Sequence, residues 1–288
     1  MQTINDIKTN KQSTSDIVPL RSRPSSGPKA AKSAAQKKNI DGMLSCRYEL
    51  KYRIRESKAR AIAEYIRSYI PLDRYARQSP NEEYLISSLY FDSDHLNLAR
   101  ETMERKTNRF KLRIRCYDDN PDTPCFVEIK RRLNSVIMKD RARIRKEMLN
   151  DVINYRVPDG LYAKDRTVLN QFQFYLFSLR ARPIVLVRYI RQAFEGDSSN
   201  RVRITFDREL SFRTVSRPEV TTNGPDWHAV PIDFVILEIK FTDRYPIWLS
   251  DMVKIFDLKQ TSMSKYVSSV KDSCSLGFCG PECSVGGY

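Results

Sequence analysis

Polar and apolar positions alternate with a period of two along much of this chain, the spacing of strands with two unlike faces. The segment RYELKYR puts Arg47, Glu49, Lys51 and Arg53 on one face and Tyr48, Leu50 and Tyr52 on the other. Arg109 to Arg132 reads as two strands joined by a turn. Lys111, Arg113 and Arg115 oppose Leu112 and Ile114 in the first, and Glu128, Lys130 and Arg132 oppose Val127, Ile129 and Arg131 in the second. RARIR (141–145) carries charge at its odd positions. RVRITFDREL (201–210) aligns Arg203, Thr205 and Asp207, and DFVILEIKF (233–241) aligns Glu238 and Lys240. EYLISSLYF (83–91) and IVLVRYIRQAF (184–194) complete the predicted strands.

Elsewhere the apolar period lengthens to that of a helix. Ala59, Ile62, Ala63, Ile66 and Ile70 predict a helix over 56–70, with Pro71 behind it. Asp92-Ser93-Asp94 reads as the entry to a short helix in HLNLARETMERK. Residues 165–180 form a helix with a broad aromatic and aliphatic face, and helices are expected over 246–258 and in SMSKYVSSV. Residues 1–42 are rich in Ser, Lys, Pro, Gln and Ala without a sustained period, so a disordered basic tail is expected there. One domain over 43–271 and a flexible Cys- and Gly-containing tail over 272–288 complete the expected organisation.

The 288 residues suffice for a sizeable core, and 41% hydrophobic with 30% charged content describes a globular protein. A net charge of +15 favours polyanionic ligands, namely nucleic acid, an anionic surface, or phosphorylated molecules and polymers. The arginines alternate with aliphatic residues rather than exposed aromatics, which argues against specific nucleic-acid binding. No stretch reaches the roughly 18 apolar residues of a membrane span, and no secretory leader is evident, so a cytoplasmic location is expected. Cys46, Cys116 and Cys125 are expected as free thiols, while Cys274, Cys279 and Cys283 lack a nearby fourth ligand for zinc. Two histidines and no Ser-His-Asp or Cys-His arrangement leave covalent catalysis without candidates.

Strands of this kind fit two arrangements. An open sheet packs its apolar face on helices and wets its charged face. A closed barrel turns the charges inward, and its lumen then requires interleaved carboxylates or a bound polyanion. Glu49, Glu128 and Glu238 each stand two residues before a lysine on the same face, which supplies some interleaving.

The ordered segments RYELKY, SLYFDS, RFKLRIRCY, FVEIKRR, YIRQAF, RVRITFDREL, LEIKF and SKY resemble the VTC domain, the polyphosphate polymerase module of the CYTH-like triphosphate tunnel metalloenzymes. The resemblance runs from about Arg47 to Lys265. It implies an α+β fold, an eight-stranded antiparallel β-barrel tunnel with a charged lumen and helices packed outside. The implied activity is transfer of the ATP γ-phosphate to a growing inorganic polyphosphate chain, with a divalent metal, Mn2+ or Mg2+. On matching positions, Arg113, Arg115, Lys130 and Arg203 would clamp the triphosphate. Lys51, Arg191 and Lys265 would line the polymer path, and Arg141 would stand as a further basic residue that binds substrate. Glu238 would bind the metal, with Glu128 as its partner or as the counter-ion of Lys130.

There are departures. The wider superfamily opens on Glu-x-Glu-x-Lys, whereas Arg47 holds the first position here, which disfavours the triphosphatase and cyclase branches. No phosphate-sensing SPX domain or membrane span accompanies the segment, so membrane coupling and inositol phosphate control are not implied, and no protein partner is identified. The alternatives are a tunnel triphosphatase or polyphosphatase, and a non-catalytic polyphosphate-binding module.

Overall fold

The computed structural model describes residues 47–278, apart from 135, 198–200, 216, 243 and 244. The expected N-terminal tail, and Cys46, Cys279 and Cys283, lie outside the described residues. Among the described residues nine strands make one antiparallel sheet: β1 (Arg47–Ile54), β2 (Tyr84–Asp92), β3 (Asn108–Cys116), β4 (Cys125–Leu133), β5 (Val136–Ile144), β6 (Arg182–Glu195), β7 (Val202–Thr214), β8 (His228–Ala229) and β9 (Val235–Thr242). Their order is β1-β9-β7-β6-β2-β3-β4-β5, with the short β8 beside β7. The helices are α1 (Glu56–Arg67), α2 (Arg74–Gln78), α3 (Asn97–Met103), α4 (Leu149–Ile153), α5 (Ala163–Ser178), α6 (Ile247–Ile255) and α7 (Lys265–Ser275).

This is the expected α+β architecture, curled so that the end strands approach. Lys130 of β4 donates to both carboxylate oxygens of Glu49 on β1, at 2.9 and 3.1 Å. Among the described residues no backbone ladder joins β1 to β5, and the Glu49–Lys130 ion pair spans that seam. Register shifts at Tyr90/Phe91 and Arg188/Ile190 supply bends, the second beside Glu209 with φ of 51°.

The alternating strands place their apolar faces outward, under helices. Leu112, Ile114, Val127 and Ile129 of β3 and β4 pack with Val168, Leu169 and Phe172 of α5. Ile204, Phe206, Leu237 and Ile239 of β7 and β9 pack with Ile62 and Ile66 of α1 and Leu249 and Met252 of α6. Cys116 and Cys125 are buried free thiols in the first of these layers, as expected. Burial pushes them up to about 12 and about 11, which leaves them unreactive.

α7 differs from the outer helices. Its Tyr266 and Val270 pack with Tyr90, Val185, Val187, Leu210 and Phe212. On β6 one face runs Val185, Val187, Tyr189, Arg191, so the face that carries charge at one end is apolar at the other. The bulge near Glu209 likewise carries β7 from Asp207 to Leu210 and Phe212 on that face. α7 covers this apolar stretch and turns its first residue, Lys265, to the charged one.

Tyr266, 1% exposed, stacks on Tyr90 and donates from its hydroxyl to Asp92 at 2.6 Å. Asp92 also accepts from the backbone of Ser93, Leu98 and Ala99, so one buried carboxyl joins β2, the start of α3, and α7. Tyr266→Phe keeps the ring but removes that donor from a buried acceptor, at a cost of about 1–3 kcal/mol. Urea denaturation should show a lowered midpoint at unchanged slope; an unchanged midpoint would refute the role given to this bond.

Candidate functional site

The inward faces of the strands meet as two networks centred on buried carboxylates. Glu128 on β4 stands directly opposite Arg113 on β3 and Arg141 on β5. Its oxygens lie 2.6 Å from Arg113, Arg141 and Lys139 alike. Glu238 on β9 stands opposite Lys51 on β1. It lies 3.1 Å from Lys240 and Lys265, 3.3 Å from Lys51 and 3.9 Å from Arg191. Asp207 takes a two-pronged bond from Arg191, at 2.6 and 2.7 Å, and a contact from Lys265 at 2.5 Å. Glu49 connects the networks' edges, 3.2 Å from Lys51 and 2.9 Å from Lys130.

Burial opposes ionisation of all these groups, and the pairing overrides it for the acids. Desolvation would raise Glu238, yet Lys265, Lys51, Lys240 and Arg191 hold it well below the carboxylate range. Glu128 is held down in the same way by Arg113, Arg115, Lys139 and Arg141. Desolvation would lower Arg113 and Arg191, and Glu128 and Asp207 respectively keep them well above the usual guanidinium value. Such pairs are net favourable only while every member keeps its partners.

Two cations lack a carboxylate in direct contact, although Glu128 still favours the charge of Arg115 from further away. Arg115 is 5% exposed and donates to the hydroxyls of Ser88 at 3.1 Å and Tyr189 at 3.3 Å. Lys111 donates to the Ser264 hydroxyl at 2.7 Å, just before α7. Neither has a carboxylate within ion-pair distance among the described residues. Burial, then Lys51, Lys130, Arg113 and Arg109, push Lys111 well below the ordinary lysine value.

The residues singled out by the sequence therefore converge: Lys51, Arg113, Arg115, Lys130, Arg141, Arg191, Glu128, Glu238 and Lys265 all join or adjoin these networks. Arg203 sits in a more open setting, 2.6 Å from Asp73 and also paired with Glu195. One expectation changes. Of the two roles expected for Glu128, metal partner or counter-ion of Lys130, the second is not seen: Lys130 pairs with Glu49, while two arginines and Lys139 surround the Glu128 oxygens. Sequence reasoning missed Lys139 and Asp73. Lys139 shares the odd positions of RARIR once β5 is extended back to Val136; Asp73 gave no signal beyond preceding a short helix, which it caps at Ala76.

Fold and site together define an α+β protein whose antiparallel sheet curls around a cation-rich interior. The chain belongs to the VTC domain family, whose model matches residues 46–273. It is 23% identical to vacuolar transporter chaperone complex subunit 4 of Schizosaccharomyces pombe, over 83% of this chain and 38% of that one. Identity to subunit 2 of the same organism's complex is 24%, over 57% of this chain and 27% of that one. The chain thus spans well under half the length of these relatives. Among solved structures, a Hippeastrum protein described as an adenylyl cyclase with dominant triphosphatase activity aligns over 82% of this chain and 98% of its own. The TM-score is 0.45 at 15% identity, a likeness too weak to carry argument.

Lys139 offers a test of the crowded interior. Burial, with Arg113, Arg115 and Arg141 adding and Glu128 opposing, pushes its ammonium down to about 6, although 36% of the side chain remains open to solvent. A lysine that holds its proton less firmly when folded penalises the fold fully below its folded value. The penalty fades as pH climbs toward the unfolded one. The melting temperature of ligand-free protein should therefore rise between about pH 6 and pH 9, and Lys139→Met should reduce that slope. An identical slope in the variant would show that Lys139 keeps an ordinary pKa.

Proposed function

We propose that the chain is a polyphosphate polymerase that transfers the terminal phosphoryl group of ATP to a growing polyphosphate chain and releases ADP. The observation that carries this reading is that the buried cations Arg115 and Lys111 have only hydroxyl partners and no carboxylate within ion-pair distance among the described residues. Buried cations in that state call for a bound anion, and their continuation into Arg113, Lys130 and Lys139 suits a linear polyanion. The family and the likeness to subunit 4 of the transporter chaperone complex support the same activity. Since both relatives are subunits of a complex, assembly with protein partners belongs to the proposal.

In these roles Arg113, Arg115, Lys130 and Arg203 clamp the triphosphate, Lys51, Arg191 and Lys265 line the polymer path, and Arg141 is a further substrate-binding cation. Guanidinium forks match phosphate oxygens, and Arg113 is already held by Glu128 and Tyr90 before substrate arrives. The incoming chain attacks the γ-phosphorus through a terminal oxygen that is already ionised, so no general base is needed. The bond from γ-phosphorus to its bridging oxygen breaks, and ADP departs with the electron pair.

A metal held by protein groups alone does not fit, because no cluster of three or more His, Cys, Asp or Glu forms among the described residues. An ion that keeps waters and substrate phosphate oxygens and takes one or two carboxylates does fit. Glu238 is the fitting donor, since it stays ionised throughout the neutral range and faces the interior. A bound Mn2+ or Mg2+ would neutralise charge on the phosphate oxygens there. Until then Lys51, Lys240 and Lys265 screen that carboxylate.

Pure protein incubated with ATP and manganese should yield long polyphosphate on a gel. Phosphate release without polymer would replace this reading by a triphosphatase, and polyphosphate binding without turnover by a binding module. Arg115→Ala should lower kcat about 10²–10³-fold. Glu238→Gln should abolish turnover while polyphosphate is still bound.

A further inference from the structure

Four aromatic side chains gather beside the cations at one edge of the charged interior. Tyr75 on α2 stacks on Tyr117, just beyond β3, with ring centroids 5.2 Å apart and planes within 4°. Tyr84 on β2 lies 5.5 Å from Tyr75 and 6.2 Å from Tyr117, and Phe126 on β4 meets Tyr117 edge-on at 5.8 Å. The cluster is tied on two sides to arginines proposed to contact phosphate. The Tyr117 hydroxyl accepts from Arg141 at 3.3 Å, and Arg141 lies over Phe126, 4.3 Å from the ring centre. The Tyr84 hydroxyl donates to Asp73 at 2.9 Å, and Asp73 takes Arg203 at 2.6 Å. Yet Tyr75 leaves 47% of its surface open to solvent.

Core packing explains Tyr84, Tyr117 and Phe126, which are partly buried, but not a half-open ring held flat on this stack. Inorganic polyphosphate has no use for a π-face. A nucleoside triphosphate does, because its base lies at the far end of the phosphates that the cations would hold. Resting on the proposed use of ATP, we propose that the Tyr75–Tyr117 stack is the nucleobase platform of the donor site, with the triphosphate running inward past Arg203 and Arg141. Stacking is indifferent to the edges of the base, so purine triphosphates with different exocyclic groups are accepted alike, and the larger purine rings are favoured over pyrimidines.

The test compares binding of ATP and of inorganic tripolyphosphate by calorimetry, without metal, to wild-type protein and to the Tyr75→Ala and Tyr75→Phe variants. Loss of a base–aromatic stack should weaken ATP binding about tenfold in Tyr75→Ala. Tripolyphosphate, which has no base, should bind both proteins within about twofold, and Tyr75→Phe should retain ATP affinity because the ring remains. Equal weakening of both ligands in Tyr75→Ala, or unchanged ATP affinity, overturns the platform while leaving the phosphate tunnel standing. Wild-type protein that binds neither ligand overturns the tunnel reading and the platform with it.

Discussion

Taking guanidinium and ammonium groups out of water is the constraint around which this structure is built. Each such transfer costs several kcal/mol unless an anion accompanies it. The chain meets the constraint with few acids used many times. Glu128 serves Arg113, Lys139 and Arg141, and Glu238 serves Lys51, Lys240 and Lys265, with Arg191 near. Because the partners stand opposite one another on neighbouring strands, a one-residue slip of β4 would carry Glu128 outward into the layer of Val127 and Ile129. Charge pairing and apolar packing thus demand the same register. The Glu49–Lys130 pair extends this logic across the seam between β1 and β5, where no backbone ladder forms among the described residues.

α7 presents the same constraint in a sharper form. Lys265 is its first residue, where the helix dipole disfavours a cation. Asp207 and Glu238 offset that disadvantage, and with Tyr189 they hold the ammonium well above its ordinary value, although burial opposes. The helix is anchored behind this point by Tyr266, through stacking on Tyr90 and the hydrogen bond to Asp92. An apolar plug and a charged tip on one element let the interior change character within a turn of helix.

The sequence carried the strand faces because period-two alternation is a local property, and the family resemblance turned those faces inward. Which charge meets which was not legible. Glu128 and Lys130 share a face two residues apart, and that spacing suggested a pair. Across the curled sheet the nearer partner of Lys130 is Glu49, remote in sequence. Lys139 was hidden by a strand read as starting at Arg141, when β5 begins at Val136. The apolar half of the interior was equally out of reach. It depends on the bulge near Glu209, which flips the inward set on β7 from Asp207 to Leu210 and Phe212. Tyr75 lay in a segment without periodicity, and only the fold brings it onto Tyr117.

The mixture of arginine and lysine in the interior follows from what each can do with its proton. Arginine stays charged under any working condition, whereas a crowded lysine can lose its proton. Burial and neighbouring cations lower Lys111 and Lys139, and lower Lys130 despite Glu49, while Arg113 and Arg191 remain charged beside their acids. Lys111, Lys130 and Lys139 are thus the interior cations that hold their protons least firmly. On the proposed function, fixed arginine charge positions the reacting triphosphate, where geometry decides the rate. Lys51 and Lys265, on the proposed polymer path, are held above the ordinary lysine value against burial, the first by Glu238 and Glu49 and the second by Asp207 and Glu238, so carboxylate pairing gives the path a charge as firmly held as that of the arginines.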